Sequence, residues 1–391
     1  MESTLVGRTL DGKFRLDEAV GSGAMGTVFR ATQLTLSKTV AIKVMKRELA
    51  QVANYASRFK REAKAASRLD HPNSVRVVDF GDDDGLLYIA MEYLDGRDLF
   101  SILADEWPLS TARIVDLMSQ TLAAVAVAHE MGIVHRDLKP ENVMVLRSKD
   151  DEGRESELVK VCDFGVAKLL TERKGDGDEG LTGTGTLTAT GVLIGTPEYM
   201  SPEQVSGLDL DARSDIYSLG IILYQLLTRQ LPFVDKSAIR LAMKQVSDEP
   251  RKPSLLVAGI DPGLEAICLK AMRKAPDARF ASAREMRAEL RAVLSPPADP
   301  VQHAPSPRPA TPARTTSPKD QAAGDEAALS KAATVLAGTP PPATAGLVMP
   351  PRAGATVTEP SAEAMKLRRR RTWLAVIAVV FAVGLFFALA R

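Results

Sequence analysis

His135-Arg-Asp-Leu-Lys-Pro-Glu-Asn142 and, further along, Asp163-Phe-Gly165 are two short polar interruptions in otherwise apolar sequence. They place Asp137, Lys139, Asn142 and Asp163 in loops rather than inside helices or strands. Any one of these side chains would pass as a solvated loop charge; four in this order do not. Upstream, residues 14–20, 27–34, 39–45, 75–80 and 86–92 have the β-branched and aromatic content of strands, and 56–69 spreads charges among alanines as a helix would. Downstream the pattern turns helical, with apolar residues at i, i+3 and i+4 through 111–131 and 215–229. A strand-rich first part and a helix-rich second part suggest an α+β arrangement.

Val20-Gly-Ser-Gly-Ala-Met-Gly-Thr-Val28 precedes the second strand. Gly21, Gly23 and Gly26 lack a Cβ, which lets backbone amides come close to phosphate oxygens. A dinucleotide-binding turn would need a helix next and an acidic residue about 20 positions on. Here Thr27-Val-Phe-Arg30 continues as a strand, and Lys43 stands at that distance. In isolation the loop also reads as a plain hairpin. Val40-Ala-Ile-Lys43 then ends an apolar strand on a lysine, which is costly to turn inward without anions to meet. Nucleotide phosphates and Glu62, on the 56–69 helix, are the two on offer. Phosphoryl transfer needs oxygens to hold a cation against phosphates, a carboxylate to orient the attacking hydroxyl, and positive charge to offset what develops. Asp163 and Asn142 suit the metal, Asp137 the hydroxyl, and Lys43 with Lys139 the phosphates.

Taken together, GSGAMGTV, VAIK, Glu62, HRDLKPEN, DFG, GTPEYMSPE, Asp215 in SDIYSLG and Arg279 in DARF resemble the eukaryotic-like (bacterial) Ser/Thr protein kinase family over about 14–294. The resemblance implies a bilobal fold, with a small β-rich N-lobe, a larger helical C-lobe and ATP between them. It implies a nucleotide site formed by Val20, Gly21, Ser22, Gly23, Ala24, Met25, Gly26, Thr27, Val28, Ala41, Lys43, Met91, Glu92, Leu94 and Met144. In it Met91 is the gatekeeper, Glu92–Leu94 the adenine-bonding hinge, and Val28, Ala41 and Met144 enclose the ring. It makes Asp137, Lys139, Lys43 and Glu62 catalytic, Asn142 and Asp163 ligands of Mg2+ (or Mn2+), and proteins bearing Ser or Thr the substrates. Ser201-Pro-Glu203 stands where the family usually has Ala-Pro-Glu, and Glu203 can still pair with Arg279. The polar stretch 147–158 reads as a surface hairpin. The 168–193 stretch is unusually long and rich in Gly and Thr. Autophosphorylation among Thr182, Thr184, Thr186, Thr188 and Thr190 is expected, with Arg136 as partner for the phosphate. Thr196 fits a structural place near Asp137 and Lys139 instead.

Composition changes at Ser295: 295–365 is dominated by Pro, Ala and Thr, and reads as a disordered linker. A basic segment, 366–372, then leads into 373–390, which carries no charge. At ~1.5 Å per residue that run spans roughly 27 Å, close to the ~30 Å hydrocarbon core. The expectation is a single-pass anchor in the cell membrane. The basic residues hold the catalytic part on the cytoplasmic side, and with Arg391 alone beyond the helix no sensor domain is expected across it. Gly384 offers one small-residue contact for a homodimer. A net charge of +1 gives no reason to expect nucleic acid. Residues 1–14 hold no signal-peptide run, and Cys162 and Cys268 allow at most one disulfide, which suits a reducing cytoplasm. The competing readings are a catalytically inactive kinase-fold membrane scaffold, a small-molecule kinase, and an adaptor acting through its linker.

Overall fold

The computed structural model describes residues 5–23, 25–47, 55–149, 153, 155–164 and 196–295. Strands β1 (Thr9–Leu10), β2 (Phe14–Ser22), β3 (Gly26–Gln33), β4 (Lys38–Met45), β5 (Val77–Asp83) and β6 (Leu86–Glu92) form one antiparallel sheet in the order β1-β2-β3-β4-β6-β5. Two-residue alternation divides its faces. Val40, Ile42 and Val44 of β4 join Leu86, Tyr88 and Ala90 of β6 in one apolar layer with Phe14, Leu16 and Phe29. The opposite face, with Met45, Leu87, Ile89 and Met91, packs on Tyr55, Phe59 and Ala63 of helix α1 (Tyr55–Ala66). Because Lys43 lies between Ile42 and Val44, alternation sends it to the α1 side, away from the purely apolar layer.

The large lobe begins with β7 (Gly96–Asp98) and α2 (Leu99–Glu106), whose first turn is capped by Asp98. Helix α3 (Thr111–Glu130) is long and apolar enough to cross a membrane, but 67% of that stretch is buried within the lobe, so it is core. Strands β8 (Val143–Lys149) and β9 (Glu155–Val161) pair with β7 in a second sheet. In the polar 147–158 stretch the described residues continue this pairing, with Arg147 opposite Glu157 and Lys149 opposite Glu155. Helices α4 (Pro202–Val205), α5 (Ala212–Thr228), α6 (Ala238–Ser247), α7 (Pro262–Ala271) and α8 (Ala283–Ala292) complete the described residues. Helix α5 is buried on every side, from Ile216 to Leu227, and forms the axis of this core. Its start lies three residues earlier than the periodicity suggests, because Asp211 accepts from the Arg213 amide at 2.8 Å and caps it.

The lobes are stitched along one seam. The Val75 amide donates to the Val161 carbonyl at 2.9 Å, and the Val161 amide to the Asn73 carbonyl at 2.8 Å. This pairing explains why β5 begins at Val77 rather than at Val75: the preceding backbone already belongs to the seam. The linker, the basic segment, the 373–390 run and Gly384 lie outside the described residues.

Candidate active site

Three cross-strand partnerships position the upper wall. Val28 is opposite Lys43, Lys43 opposite Ile89, and Ala41 opposite Met91, so these side chains share one sheet face. Leu94 and Met25 pack partly buried against the same cluster. Behind Met91, a pocket of ≈ 20 Å³ is lined by Ala66, Leu69, Val75, Val77, Asp163 and Phe164, with room for little more than a water molecule. Glu92 turns its carboxylate away from this wall, accepting from the Arg76 amide and the Lys160 ammonium, both at 2.8 Å. Met144 is half-buried on β8, in the lower sheet.

The glycines of the loop differ in their surroundings. A Cβ on Gly26 would sit 2.1 Å from the Val44 carbonyl oxygen, so β4 itself requires glycine there. A Cβ on Gly21 would meet nothing within 4 Å, and one on Gly23 only the Gly26 oxygen at 4.0 Å. Nothing among the described residues demands glycine at these two positions, and both face open space next to exposed Val20 and Ser22. Ala24 lies outside the described residues.

Lys43, 7% exposed, donates to Asp163 Oδ2 at 2.7 Å. Burial alone would raise the Asp163 pKa, but the Lys43 charge and hydrogen bond overcome it and hold the carboxylate below its usual range. Asp163 has φ 64°, a left-handed conformation that a non-glycine residue adopts at a cost. The sequence suggests Glu62 as a further partner for Lys43. In the structure Glu62 takes the Arg61 guanidinium at 3.3 Å, and the lysine is compensated by Asp163.

The residues of the 135–142 loop converge on Asp137. Lys139 Nζ donates to Asp137 Oδ2 at 2.9 Å and to Thr196 Oγ1 at 3.1 Å. Asn142, 7% exposed, donates its Nδ2 to the Asp137 carbonyl at 2.7 Å. That commits the amide nitrogen and leaves Oδ1 as an acceptor. Asn142 is tied to Asp163 through the backbone, since the Cys162 amide donates to its carbonyl at 2.9 Å. Beneath the loop, buried Asp215 accepts from the backbone amides of His135 and Arg136 at 2.8 and 2.9 Å, and meets His129 Nε2 at 2.8 Å. These contacts outweigh burial and keep its pKa low. They also hold Arg136 at φ 70°. The sequence does not single out His129; its place on the α3 face toward α5 becomes evident once both helices are packed.

Lower in the lobe, Arg279 meets Glu203 through two parallel bonds of 2.7 and 2.8 Å, both side chains nearly inaccessible, and Ser214 adds a third at 2.7 Å. This pairing, expected despite Ser201, anchors the 196–203 segment to α5. Gly165, Gly195 and the threonines from Thr182 to Thr190 lie outside the described residues. Among the described residues no three His, Cys, Asp or Glu side chains gather as a self-sufficient metal centre. A cation at Asp163 and Asn142 would therefore need further oxygens, which triphosphate oxygens can supply.

The model of the protein kinase domain matches residues 14–289. Ser/Thr protein kinase pkn3 of Myxococcus xanthus is 49% identical over 291 residues, covering 74% of this chain and 51% of its own length. PknB of Mycolicibacterium smegmatis is 39% identical over 285 residues, covering 72% and 43% respectively. The chain thus spans only about half the length of these relatives, or less. Among solved structures, the PknI kinase domain of Mycobacterium tuberculosis superimposes with TM-score 0.56 at 27% identity. The match covers 74% of this chain and 98% of that one.

Proposed function

Because the chain belongs to the protein kinase domain family, we propose that it is a Ser/Thr protein kinase that moves the terminal phosphoryl group of ATP to protein hydroxyls. The observation that carries this reading is the meeting of Lys43 and Asp163 at 2.7 Å beside the Asp137–Lys139–Asn142 cluster. The open loop at Gly21 and Gly23 supports it, since no described neighbour accounts for glycine there. Asp163 and Asn142 Oδ1 are oxygen donors suited to a hard divalent cation, Mg2+ or Mn2+, which when bound would neutralise phosphate charge. Lys43 would hold phosphate oxygens in exchange for its bond to Asp163. Asp137 accepts the proton of the incoming hydroxyl, and Lys139, already bonded to Asp137, offsets negative charge on the transferred group. Val28, Ala41 and Met144 would enclose the adenine, with Met91 limiting depth and Glu92–Leu94 supplying backbone bonds. No observation favours the inactive scaffold.

In the same reading the chain phosphorylates threonines within 182–190, and is held at the cell membrane by 373–390 with its catalytic part cytoplasmic. The uncharged run behind a basic cluster supports the anchor, and Gly384 is the contact for a homodimer. The test is labelled-ATP transfer by the full chain beside Lys43→Met and Asp137→Asn. Transfer should fall by more than about a hundredfold in both. An Asp137→Asn chain that labels itself and peptides as fast as the wild type would overturn the proposal, and recovery of the chain in the soluble fraction would remove the anchor.

A further inference from the structure

Residues 196–199 make a tight turn, closed by the Tyr199 amide donating to the Thr196 carbonyl at 3.1 Å. One end is tied to the catalytic loop through Lys139, which bonds Thr196 Oγ1 and Asp137 Oδ2 at once. The next two carbonyls, of Pro197 and Glu198, both accept from the side-chain amide of Gln245, at 3.2 and 2.7 Å. Gln245 lies on α6 and is 0% exposed. Its Oε1 takes the Tyr217 hydroxyl of α5 at 2.8 Å. Lys274 completes the set, donating to the Tyr217 hydroxyl and the Gln245 carbonyl at 2.9 Å each, with its ammonium 4.4 Å from the Phe233 ring centroid.

Every polar atom of the Gln245 amide is thus used, and every partner is either the turn or a residue fixing Gln245 itself. A glutamine retained for packing would not need to spend its donor nitrogen on two carbonyls of one four-residue turn. The bonds run without a break from Asp137, through Lys139 and the turn, to Gln245, Tyr217 and Lys274. Moving the turn would disturb the lysine that touches the hydroxyl-orienting carboxylate.

We propose that Gln245 is a positioning residue for the protein substrate, setting the 196–199 turn against which a peptide lies so that its hydroxyl reaches Asp137. This rests on reading the site as a protein kinase. Without the amide, two carbonyls lose their donors and turn toward water, and the surface offered to the peptide shifts. Lys43 and Asp163, which would face the nucleotide in this reading, are bonded to each other and not to the turn.

The test is steady-state kinetics of the full chain with a threonine peptide selected from a degenerate library by the wild type. Gln245→Leu should raise the peptide KM by about ten- to a hundredfold, the cost of two lost bonds to part-buried carbonyls, while the ATP KM moves less than about twofold. Tyr217→Phe, which keeps the ring, leaves the Gln245 bonds to the turn and removes the hydroxyl's bonds to Gln245 and Lys274, should shift the peptide KM in the same direction by a smaller factor, and serves if Gln245→Leu does not fold. A peptide KM unchanged in the folded variants overturns the inference, as does a parallel rise in both KM values, which would mark general distortion. If the wild type acts on no peptide, the kinase reading and this inference fall together; if it is active and the variants match it, the inference falls alone.

Discussion

Alanine at Gly26 and alanine at Gly21 should fail in different ways, although both belong to one glycine-rich loop. At Gly26 the new methyl would meet the Val44 carbonyl oxygen at 2.1 Å, with the Val44 carbon at 3.0 Å and Met45 Cα at 3.1 Å. All three are backbone atoms of the neighbouring strand, held by the Gly26–Met45 and Thr27–Val44 register, so relief requires parting β3 from β4. Overpacking of this kind costs about 1–3 kcal/mol. At about 2–4 °C per kcal/mol for a domain of this size, Tm should drop by roughly 2–12 °C. At Gly21 the methyl meets nothing within 4 Å, so Tm should hold within about 1–2 °C, as for an ordinary surface change. The Gly21 loss should appear in the nucleotide, as an ATP KM about tenfold higher, the worth of one charge-assisted bond to phosphate. Thermal unfolding without nucleotide, followed by kinetics, separates the two. The reasoning is refuted if Gly26→Ala melts with the wild type, or if Gly21→Ala loses as much stability as Gly26→Ala.

Arg279→Ala should destabilise the chain by about 3–5 kcal/mol in urea unfolding, because it strands a buried Glu203 carboxylate; Glu203→Met placed on top should recover part of that loss. Glu203 itself is held below its usual pKa, burial being outweighed by Arg279 and Ser214. Its stabilisation is present above the unfolded value of 4.5 and disappears as pH falls below it, and a Glu203→Gln chain should lack that acid-limb step in Tm. Lys274 has the opposite behaviour. Burial lowers its pKa from 10.5 to about 8, despite the distant attraction of Glu249 and Asp248 and with Arg279 repelling it. Between these values the unfolded chain holds the extra proton, so this group makes stability rise with pH from about 8 to 10.5. Subtracting the Lys274→Met profile from the wild type should expose that rise; a flat difference would contradict it.

Much of the site was legible because its parts are chemically expensive. A lysine ending the apolar run Val40–Ile42, or Asp163 beside Phe164, has to be accounted for by a partner, and a short polar interruption shows in any hydropathy reading. Strand and helix cores were legible for the same reason that they fold: alternation through β4 and the three-to-four spacing through α3 each describe one buried face. The misses have a different origin. Strands β1 and β7 span two and three residues, too short for a period to register. The start of α5 depends on an aspartate cap rather than on apolar spacing. For Lys43 the sequence offers phosphates or Glu62, and that it meets Asp163 in the structure depends on how the two lobes pack, which no local pattern encodes. Gln245 was invisible altogether, since a glutamine in an amphipathic helix has no signature until the turn it holds has folded against it.

The seam at residues 73–75 bears on how the molecule can move. Strand β9 runs straight from that stitching into Asp163, so the carboxylate proposed to hold the cation sits beside the line about which the two lobes would swing. Points near a pivot travel least. Rocking of the upper lobe would sweep the glycine-rich loop through a wide arc while leaving Asp163 almost stationary over Asn142. Under the proposed function, access for a nucleotide and a fixed seat for its metal would then be compatible within a single motion.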